Sequence, residues 1–507
     1  MTPRRPALIT CIAALLALVS SLAFAAPPAN DTLRIGSKRF TESYILAQVL
    51  AQTAAPHTPT PPSVLQGLGN TAIVFEALKS GSIDVYPEYL GTIAQEILHL
   101  EGPAPLDRIN RELAALGLGA AVPLGFDNSY ALAMRDGDAA RLGIRTLGDL
   151  AAHPALRMGL SHEFLGRADG WPGLARRYGL RNQPQGLDHG LAYDAIAAAQ
   201  IDVMDIYTTD ARIARLQLRV LQDDRQYFPR YDAVLLYRLD LPSRFPAMWQ
   251  ALRRLEGRID QQRMIALNAA VELEGRSFAQ AAQGFLSGVP DTRATRSGLG
   301  AKLLDRLGFL TWQHLFLVLV SVFAATLCGV PLGMLAAIVP GLRQAVLGLC
   351  GVLQTIPSLA LLAILISLLG TIGTGPALIA LSLYALLPVV RNTCVGLLQV
   401  SPGIRSAAQA LGLGRRDTLL LIELPLAFPV ILAGIKTAAI MSVGTATIAA
   451  FIGAGGFGER IVTGLALNDN ATLLAGAIPV AIMALLIEGA FTIGERSLIP
   501  QALRKPS

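Results

Sequence analysis

The feature that most constrains this chain is a set of long apolar segments that all lie in its second half. They cover residues 314–339, 345–369, 376–390, 429–452 and 473–493. Most of them reach the length of about 20 apolar residues that a helix needs to cross the hydrocarbon core of a bilayer. Charged residues make up only 15% of the chain, against about 25% in an ordinary soluble domain. The second half therefore predicts an all-α transmembrane domain of about five helices, which we place at residues 312–497.

The first residues have the order of a secretory signal. Arg4 and Arg5 precede an apolar run over residues 7–24, and small residues and two prolines follow that run. A basic start, an apolar run and a small-residue cleavage site characterise such signals. We therefore predict a signal peptide over residues 1–26. The alternative is a retained membrane anchor, since the run approaches the minimum of roughly 17 residues for spanning. Either interpretation carries the following residues out of the cytoplasm.

Between the signal and the apolar segments, short apolar runs alternate with amphipathic stretches. This alternation extends from Leu33 to about Gly288 and is typical of α/β folds. We therefore predict a soluble α/β domain over residues 30–289, followed by a polar, breaker-rich linker over residues 290–311. The domain has no cysteine, and its histidines lack ligand-like spacing. We expect neither a disulfide framework nor a metal site in it.

Basic residues mark one side of the apolar segments. The segments that end on this side are followed by Arg343, Arg391, Arg405, Arg415, Arg416 and Arg496. The loops on the other side, residues 370–375 and 453–472, carry only Arg460. Cytoplasmic loops are rich in lysine and arginine, so the arginine-bearing side is expected to face the cytoplasm. The chain is then expected in the cytoplasmic (inner) membrane of a cell. The α/β domain then lies outside, and residues 392–428 form a cytoplasmic loop. A polybasic arm is absent, so we expect no nucleic-acid partner.

The cytoplasmic loop has a regular pattern of its own. It predicts a short helix, a turn through Gly412 and Gly414, and a second helix stopped by Pro425. Its sequence resembles the signature of permease subunits of ATP-binding-cassette (ABC) importers, which is Glu-Ala-Ala, three residues, Gly, nine residues, Ile, one residue and Leu-Pro. The residues in register are Ala407, Ala408, Gly412, Ile422, Leu424 and Pro425, and Ser406 replaces the leading glutamate. The resemblance implies that this loop docks on an ATPase subunit.

The same resemblance implies partners. The chain has no Gly-x-x-x-x-Gly-Lys-[Ser/Thr] phosphate loop, so we expect ATP and Mg²⁺ on a separate cytoplasmic ABC ATPase dimer, no cofactor bound by this chain, and no enzyme activity of its own. About five spans are fewer than such importers need around a pathway. The family therefore implies pairing with a second copy of this permease, or with a related permease, in membrane lipid.

The α/β domain resembles periplasmic binding proteins for glycine betaine, choline and related osmoprotectants. The stretches that carry the resemblance are residues 36–42, 86–92, 127–132, 163–170, 205–210 and 228–231. The family fold implies a two-lobed α/β protein of type II-like topology with its ligand in the cleft. One lobe would consist of about residues 33–123 together with a return segment after about residue 234. The residues between these two segments would form the other lobe.

The resemblance also implies a ligand site. A trimethylammonium group is charged but has no N–H to donate, so aromatic faces suit it better than a carboxylate does. By resemblance, an aromatic cage is formed by Tyr89, Tyr130, Tyr207 and Tyr231. Lys38, Thr92 and Arg167 match the positions that hold the carboxylate of betaine, and a guanidinium can do so with two hydrogen bonds.

The sequence therefore predicts an ATP-driven importer of quaternary-ammonium osmoprotectants, with the binding domain and the permease in one chain. One cage serves the headgroups of betaine, choline and carnitine alike, so the prediction names the class. One alternative is an importer of another zwitterion or amino acid, such as proline. An alternative of another kind is a membrane-anchored solute sensor that does not transport its ligand.

Overall fold

The computed structural model describes residues 32–100, 104–167, 169–288, 299–467 and 469–498. The chain forms two compact units. The α/β unit comprises Ala29–Lys302 and Val462–Leu473, and the helical unit comprises Leu303–Ile461 and Leu474–Ser507. The predicted signal peptide and residues 290–298 of the predicted linker lie outside the described residues. The rest of the predicted linker includes a short helix, Leu299–Leu304.

The α/β unit contains two five-stranded sheets. In chain order the strands are β1 (Arg34–Gly36), β2 (Ser63–Leu65), β3 (Val85–Tyr89), β4 (Leu118–Ala121), β5 (Tyr130–Arg135), β6 (Met158–Ser161), β7 (Gln185–Leu187), β8 (Val203–Tyr207), β9 (Leu218–Val220) and β10 (Ala233–Arg238). The first sheet has the order β2-β1-β3-β10-β4, and the second has the order β7-β6-β8-β5-β9. The chain thus leaves the first sheet after β4, builds the second, and returns as β10. This confirms the predicted two-lobed α/β fold.

The central strands of both sheets are buried along most of their length. All five residues of β3 are buried, as are the first five of β5 and the first four of β8 and of β10. Strands covered on both faces read as nearly continuous apolar runs, which explains the short apolar runs in the sequence.

The described α-helices of this unit are Thr41–Ala54, Thr71–Lys79, Leu90–Thr92, Leu106–Ala114, Asp136–Leu142, His162–Gly166, Trp171–Tyr178, His189–Ala197, Arg212–Arg215, Leu241–Arg244, Pro246–Arg253, Gln261–Glu272 and Phe278–Ser287.

Two chain crossings join the lobes side by side. The first crossing passes through Asp127 and Asn128, and the second passes through Tyr231 and Asp232. An antiparallel bridge pairs Asp127 with Asp232, and the Asn128 N–H donates to the Tyr231 carbonyl at 3.1 Å. The Tyr231 N–H donates to the Asp127 carboxylate at 2.6 Å. The crossings therefore form a short paired ribbon between the two sheets.

Among the described residues, the helical unit has four single helices that are long and apolar enough to cross a membrane. They are Leu307–Ile338, Thr374–Leu398, Arg415–Ile452 and Asn470–Ser497. A fifth candidate is the pair Pro340–Thr355 and Ser358–Leu369, bent by 98°. The prediction of about five apolar helices is confirmed, but the expected single span over residues 345–369 is broken. Pro357 lies at the break. A proline supplies no N–H and clashes with the preceding turn, so it interrupts the helix at this point.

Small residues allow the helices of this unit to pack closely. A Cβ added to Gly329 would meet the Val389 side chain at 2.8 Å, and one added to Gly333 would meet the Val390 carbonyl at 2.7 Å. Gly434 lies similarly close to the Pro388 carbonyl, at 2.8 Å. Small residues at such contacts are typical of helices that associate within lipid.

One prediction for the cytoplasmic loop is wrong. Pro425 does not stop the second helix, which continues as one element from Arg415 to Ile452. A π-helical turn, Thr418–Glu423, comes directly before the α-helical part Leu424–Thr445. The wider turn changes the hydrogen-bond register just before the proline, so its missing N–H does not end the helix. The first helix is Pro402–Ala410, and Gly412 takes a φ of 83° in the predicted turn.

Candidate functional site

A pocket lies between the two lobes of the α/β unit. It is lined by Lys38, Phe40, Tyr89, Thr92, Asn128, Tyr130, Glu163, Tyr207 and Tyr231. Six of the seven ligand-binding residues expected from the sequence are therefore brought together, and Arg167 lies just outside the lining set.

The strands place the tyrosines at the rim of each sheet. Tyr89 is the last residue of β3 and Tyr207 is the last residue of β8. Each of these strands runs parallel to a neighbour, β1 and β6 respectively, and ligands of α/β folds bind beyond the carboxyl ends of such strands. Tyr130 starts β5 directly opposite Tyr207 in the antiparallel register. Tyr231 belongs to the second crossing between the lobes.

Aromatic rings surround the pocket at contact distance from one another. The ring centroids of Tyr130 and Tyr207 are 5.1 Å apart, and those of Tyr130 and Tyr231 are 5.6 Å apart in an edge-on arrangement. Phe40 stacks on Tyr207 at 5.8 Å and on Tyr89 at 6.3 Å. Sequence reasoning missed Phe40, although it lies within the stretch over residues 36–42 that carried the resemblance. Phe40 adds a fifth ring to the four predicted ones.

The tyrosines of the pocket stay protonated at neutral pH. Burial, followed by the charges of nearby carboxylates, raises the pKa of Tyr89, Tyr130 and Tyr207 well above the ordinary value. Burial beside Asp169 likewise raises the pKa of Tyr231. Neutral rings that present their faces to a small enclosed space can attract a cation by about 0.5 to 2 kcal/mol each.

Both cationic side chains expected to clamp a carboxylate already have carboxylate partners. Lys38 Nζ lies 2.6 Å from Glu88 Oε1, and both side chains are buried. Arg167 binds Asp169 with two hydrogen bonds, of 2.7 Å from Nε and 2.6 Å from Nη2. The guanidinium lies 5.2 Å from the centroid of the Tyr130 ring. Thr92 is 3% exposed and lines the pocket.

Three further residues shape the pocket and were not predicted. Asn128 and Glu163 line it, and Glu163 lies 3.8 Å from Nη1 of Arg167. Gly91 leaves room for the Tyr231 ring, because a Cβ at this position would meet ring carbons at 2.6 and 2.7 Å. All three lie within the stretches that carried the resemblance, so the signal was present but gave no side-chain contacts.

His189 supports the outer face of Tyr207. Its ring centroid lies 4.6 Å from that of Tyr207, and its Nε2 lies 3.0 Å from Asp210 Oδ2. Burial disfavours the charged imidazole, but Asp210 and Asp205 outweigh burial and raise the pKa of His189 to about 10. Asp210 is thus the hydrogen-bond partner of the ring, while Asp205 Oδ2 lies farther away, 3.9 Å from Nδ1. In the described part of the chain, no group of three or more His, Cys, Asp or Glu residues could hold a metal ion.

The predicted coupling loop forms a second candidate site, in the helical unit. Within it, Ser406, Ala407, Gly412 and Pro425 are exposed, Ile422 and Leu424 are partly buried, and Ala408 is buried. An ion pair of 2.8 Å between Arg405 and Glu423 joins its two helices. Two leucines next to the signature project far into the surroundings: Leu411 is 82% exposed and Leu421 is 67% exposed. The loop is therefore ordered and presents an apolar surface.

Two family models match different parts of the chain. One, described as "Substrate binding domain of ABC-type glycine betaine transport system", matches residues 31–288. The other, described as "Binding-protein-dependent transport system inner membrane component", matches residues 329–499. The first covers the α/β lobes with their pocket, and the second covers most of the apolar helices and the coupling loop.

Individual proteins show the same division. The carnitine transport permease protein OpuCB of Listeria monocytogenes is 43% identical over 195 residues, which are 38% of this chain and 89% of that protein. The glycine-betaine-binding protein of Pseudomonas aeruginosa is 36% identical over 273 residues, which are 50% of this chain and 87% of that protein. A crystal structure of a glycine betaine/carnitine/choline ABC transporter aligns at 28% identity and a TM-score of 0.43, over 50% of this chain and 98% of that chain.

The two family models and the two sequence relatives confirm the resemblance found in the motifs of both halves. The α/β lobes carry a binding pocket, and the helices carry the permease signature. The chain belongs to the family of ABC-type glycine betaine transport systems, as a substrate-binding domain fused to a permease domain.

Proposed function

We propose that this chain imports quaternary-ammonium osmoprotectants, of the class of glycine betaine, choline and carnitine, across the cytoplasmic membrane. The observation that carries the proposal is the pocket ringed by Phe40, Tyr89, Tyr130, Tyr207 and Tyr231. A methylated ammonium gains from ring faces because it has no N–H to satisfy. An ammonium with N–H groups, such as that of an amino acid, would instead need acceptors in the same place.

The carboxylate of betaine or carnitine would meet Lys38, Thr92 and Arg167. Lys38 has three N–H donors and gives one to Glu88. Arg167 has five N–H donors and gives two to Asp169. Donors thus remain on both side chains for a ligand carboxylate, while choline needs only the rings. The three residues are therefore proposed as the clamp for the zwitterionic members of the class.

ATP hydrolysis on a separate ABC ATPase dimer is proposed to drive the transport, with ATP and Mg²⁺ bound there. The support is the coupling loop, Ser406 to Pro425, which keeps its apolar leucines exposed in a part of the chain expected in the cytoplasm. A second copy of this permease is proposed to complete the pathway. Such an assembly would present two binding domains outside the membrane.

Titration calorimetry on the full chain in detergent tests the substrate class. We expect choline, glycine betaine and carnitine to bind and proline to give no heat. Tyr207→Ala or Tyr231→Ala should weaken binding by about 100-fold, since each removes a ring contact and leaves a cavity. Tyr237→Ala is the matched control, because Tyr237 packs on Trp249 at 4.3 Å and does not line the pocket. Tight proline binding that ignores the pocket variants would refute the proposed class.

Uptake into vesicles separates an importer from a sensor. The chain is reconstituted with the ATPase that copurifies with it, and labelled choline inside the vesicles is counted with and without ATP. Gly412→Val should abolish uptake, because position 412 requires a φ of 83° that branched side chains avoid. Choline binding should survive in that variant. Binding without ATP-dependent uptake in the unmodified chain would favour the sensor.

A further inference from the structure

The carboxylate of Glu42 is buried between the lobes and accepts four hydrogen bonds. The side chain lies in the first turn of the helix Thr41–Ala54, and the residue is 2% exposed. Its Oε1 accepts from the Tyr89 hydroxyl and, at 2.9 Å, from Asn128 Nδ2. Its Oε2 accepts from the Thr209 hydroxyl at 2.6 Å and from Asn268 Nδ2 at 3.3 Å. A carboxylate has about four lone-pair sites, so its acceptor capacity is filled.

These four donors come from every part of the α/β unit. Tyr89 ends β3 and Asn268 lies in Gln261–Glu272, both in the first lobe. Thr209 follows β8 in the second lobe, and Asn128 belongs to the first crossing. Asn268 Nδ2 also donates to the Thr209 carbonyl at 3.0 Å. One buried carboxylate therefore connects both lobes and the ribbon that joins them.

Three of the four donors lie in or close to the walls of the pocket. Tyr89 and Asn128 line it directly, and Thr209 comes two residues after Tyr207. Ion pairs between the lobes in the described chain are longer than these hydrogen bonds: Arg167 lies 3.9 Å from Glu96, and Arg212 lies 3.7 Å from Glu272. A change at Glu42 would therefore disturb the shape of the pocket and the contact between the lobes together.

We propose that Glu42 is a positioning residue that latches the second lobe to the first through Thr209 and fixes the Tyr89 ring and the Asn128 amide in the pocket. It touches no ligand. Because the four donors share one acceptor, closure of the lobes and assembly of the pocket are coupled. The hydrogen bond between Glu42 and Thr209 must therefore break before ligand can leave the pocket. The choice of choline as the probe below rests on the proposed function.

Thr209 offers a matched pair of variants in the full chain. Thr209→Val keeps the shape of the 1% exposed side chain but removes the hydroxyl that Glu42 Oε2 accepts from. Thr209→Ser keeps the hydroxyl. We expect Thr209→Val to weaken choline binding by roughly tenfold or more, through faster dissociation, because a bond to a buried carboxylate is lost. Thr209→Ser should stay within about threefold of the unmodified chain.

The control is Thr71→Val. Thr71 is also buried in the α/β unit, at 8% exposure, but its hydroxyl has no hydrogen-bond partner among the described residues. It should bind choline as the unmodified chain does. An effect of Thr71→Val as large as that of Thr209→Val would assign the loss to packing and overturn the latch.

A double-mutant cycle tests whether the shared acceptor couples the donors. Tyr89→Phe keeps the ring but removes the hydroxyl bonded to Glu42. Residues in one hydrogen-bond network show non-additive effects, so the double variant Tyr89→Phe with Thr209→Val should lose clearly less affinity than the two single losses multiplied together. Strict additivity would overturn the proposal.

Hydrogen exchange of the ligand-free chain gives a readout that needs no ligand. Thr209→Val should speed amide exchange in both crossings, around residues 126–130 and 231–233, and Thr209→Ser should not. If the unmodified chain binds no quaternary ammonium, the proposed substrate class fails, and exchange still decides the latch. Unchanged exchange together with unchanged choline binding in Thr209→Val would overturn the latch and leave the proposed function standing.

Discussion

The ligand pocket and the coupling loop were both recognised from short motifs, yet they are built in opposite ways. In the pocket, Tyr89, Tyr130 and Tyr231 are 5%, 6% and 1% exposed. In the loop, Leu411 and Leu421 are 82% and 67% exposed. A pocket that attracts a cation by ring faces gains when water is excluded, whereas a docking surface must keep its apolar groups available. Burial thus distinguishes the pocket, which is proposed to bind a small solute, from the loop, which is proposed to bind a protein.

A substitution at the centre of the pocket should reduce choline affinity the most. Tyr130 contacts the rings of Tyr207, Tyr231, Phe164 and Phe228. Tyr130→Ala should weaken choline binding by about 300-fold, because the variant loses a ring contact and leaves a cavity. Capture of the ATPase by the detergent-solubilised chain should be unchanged. Tyr130→Phe, which keeps the ring, should stay within about threefold in calorimetry.

The stability of the buried region around Glu42 should also respond to pH. Burial raises the pKa of Glu42 from its ordinary value of 4.5 to about 7, although hydrogen bonds from Thr209, Tyr89 and Asn268 lower it. A folded-state pKa above the unfolded one adds stability that is complete below pH 4.5 and is lost as the pH rises through about 7. The loss is on the order of 3 kcal/mol.

Thermal melting of the full chain from pH 4.5 to 8, followed by near-ultraviolet circular dichroism, measures this loss. Glu42→Gln should flatten the dependence between pH 4.5 and 7. A profile of Glu42→Gln parallel to that of the unmodified chain would assign the dependence to other groups.

The exposed apolar surface of the coupling loop is tested at Leu421. Leu421→Asp places a charge on the apolar surface of the loop and should lower ATPase copurification about tenfold, as interface truncations commonly do. Choline binding should not change. Leu239→Asp is the control, since Leu239 is 46% exposed in the α/β unit. Equal copurification with both variants would show that the ATPase docks elsewhere.

The pocket wall at Gly91 should respond more weakly to substitution than the tyrosines do. Gly91→Ala would place a Cβ 2.6 Å from the Tyr231 ring and 3.0 Å from the Arg230 carbonyl, so the ring must shift. We expect choline affinity to fall about fivefold, since the ring is displaced but kept. Gly137→Ala is the control, because its added Cβ meets nothing within 4 Å. A larger loss in Gly137→Ala than in Gly91→Ala would contradict this account.

The sequence predicted the class of the fold and most of the pocket for a physical reason. Apolar length and α/β alternation reflect burial directly, and Tyr89, Tyr130, Tyr207 and Tyr231 lie in motifs whose spacing could be matched. Glu42 and Phe40 lie in the same motifs but were missed, because their roles depend on partners far along the chain. Thr209 is 167 residues from Glu42, and no local pattern reports such a contact.

The two errors in the helical unit have a shared cause. Pro425 was expected to stop a helix, and residues 345–369 were expected to form one unbroken span. The chain does the reverse at both places: a π turn absorbs Pro425, and Pro357 breaks the second span. Whether a proline ends a helix depends on hydrogen bonds that the neighbouring turn can rearrange, and composition alone does not report that.

The carboxylate partners of Lys38 and Arg167 have a consequence for how the importer meets a changing environment. Each cation of the pocket is matched by a buried anion, Glu88 or Asp169, so these two pairs add no net charge. Counterions in the medium screen exposed charges much more than buried ones. For the proposed importer, capture by neutral rings and buried ion pairs would therefore lose little strength when the salt concentration outside the cell rises.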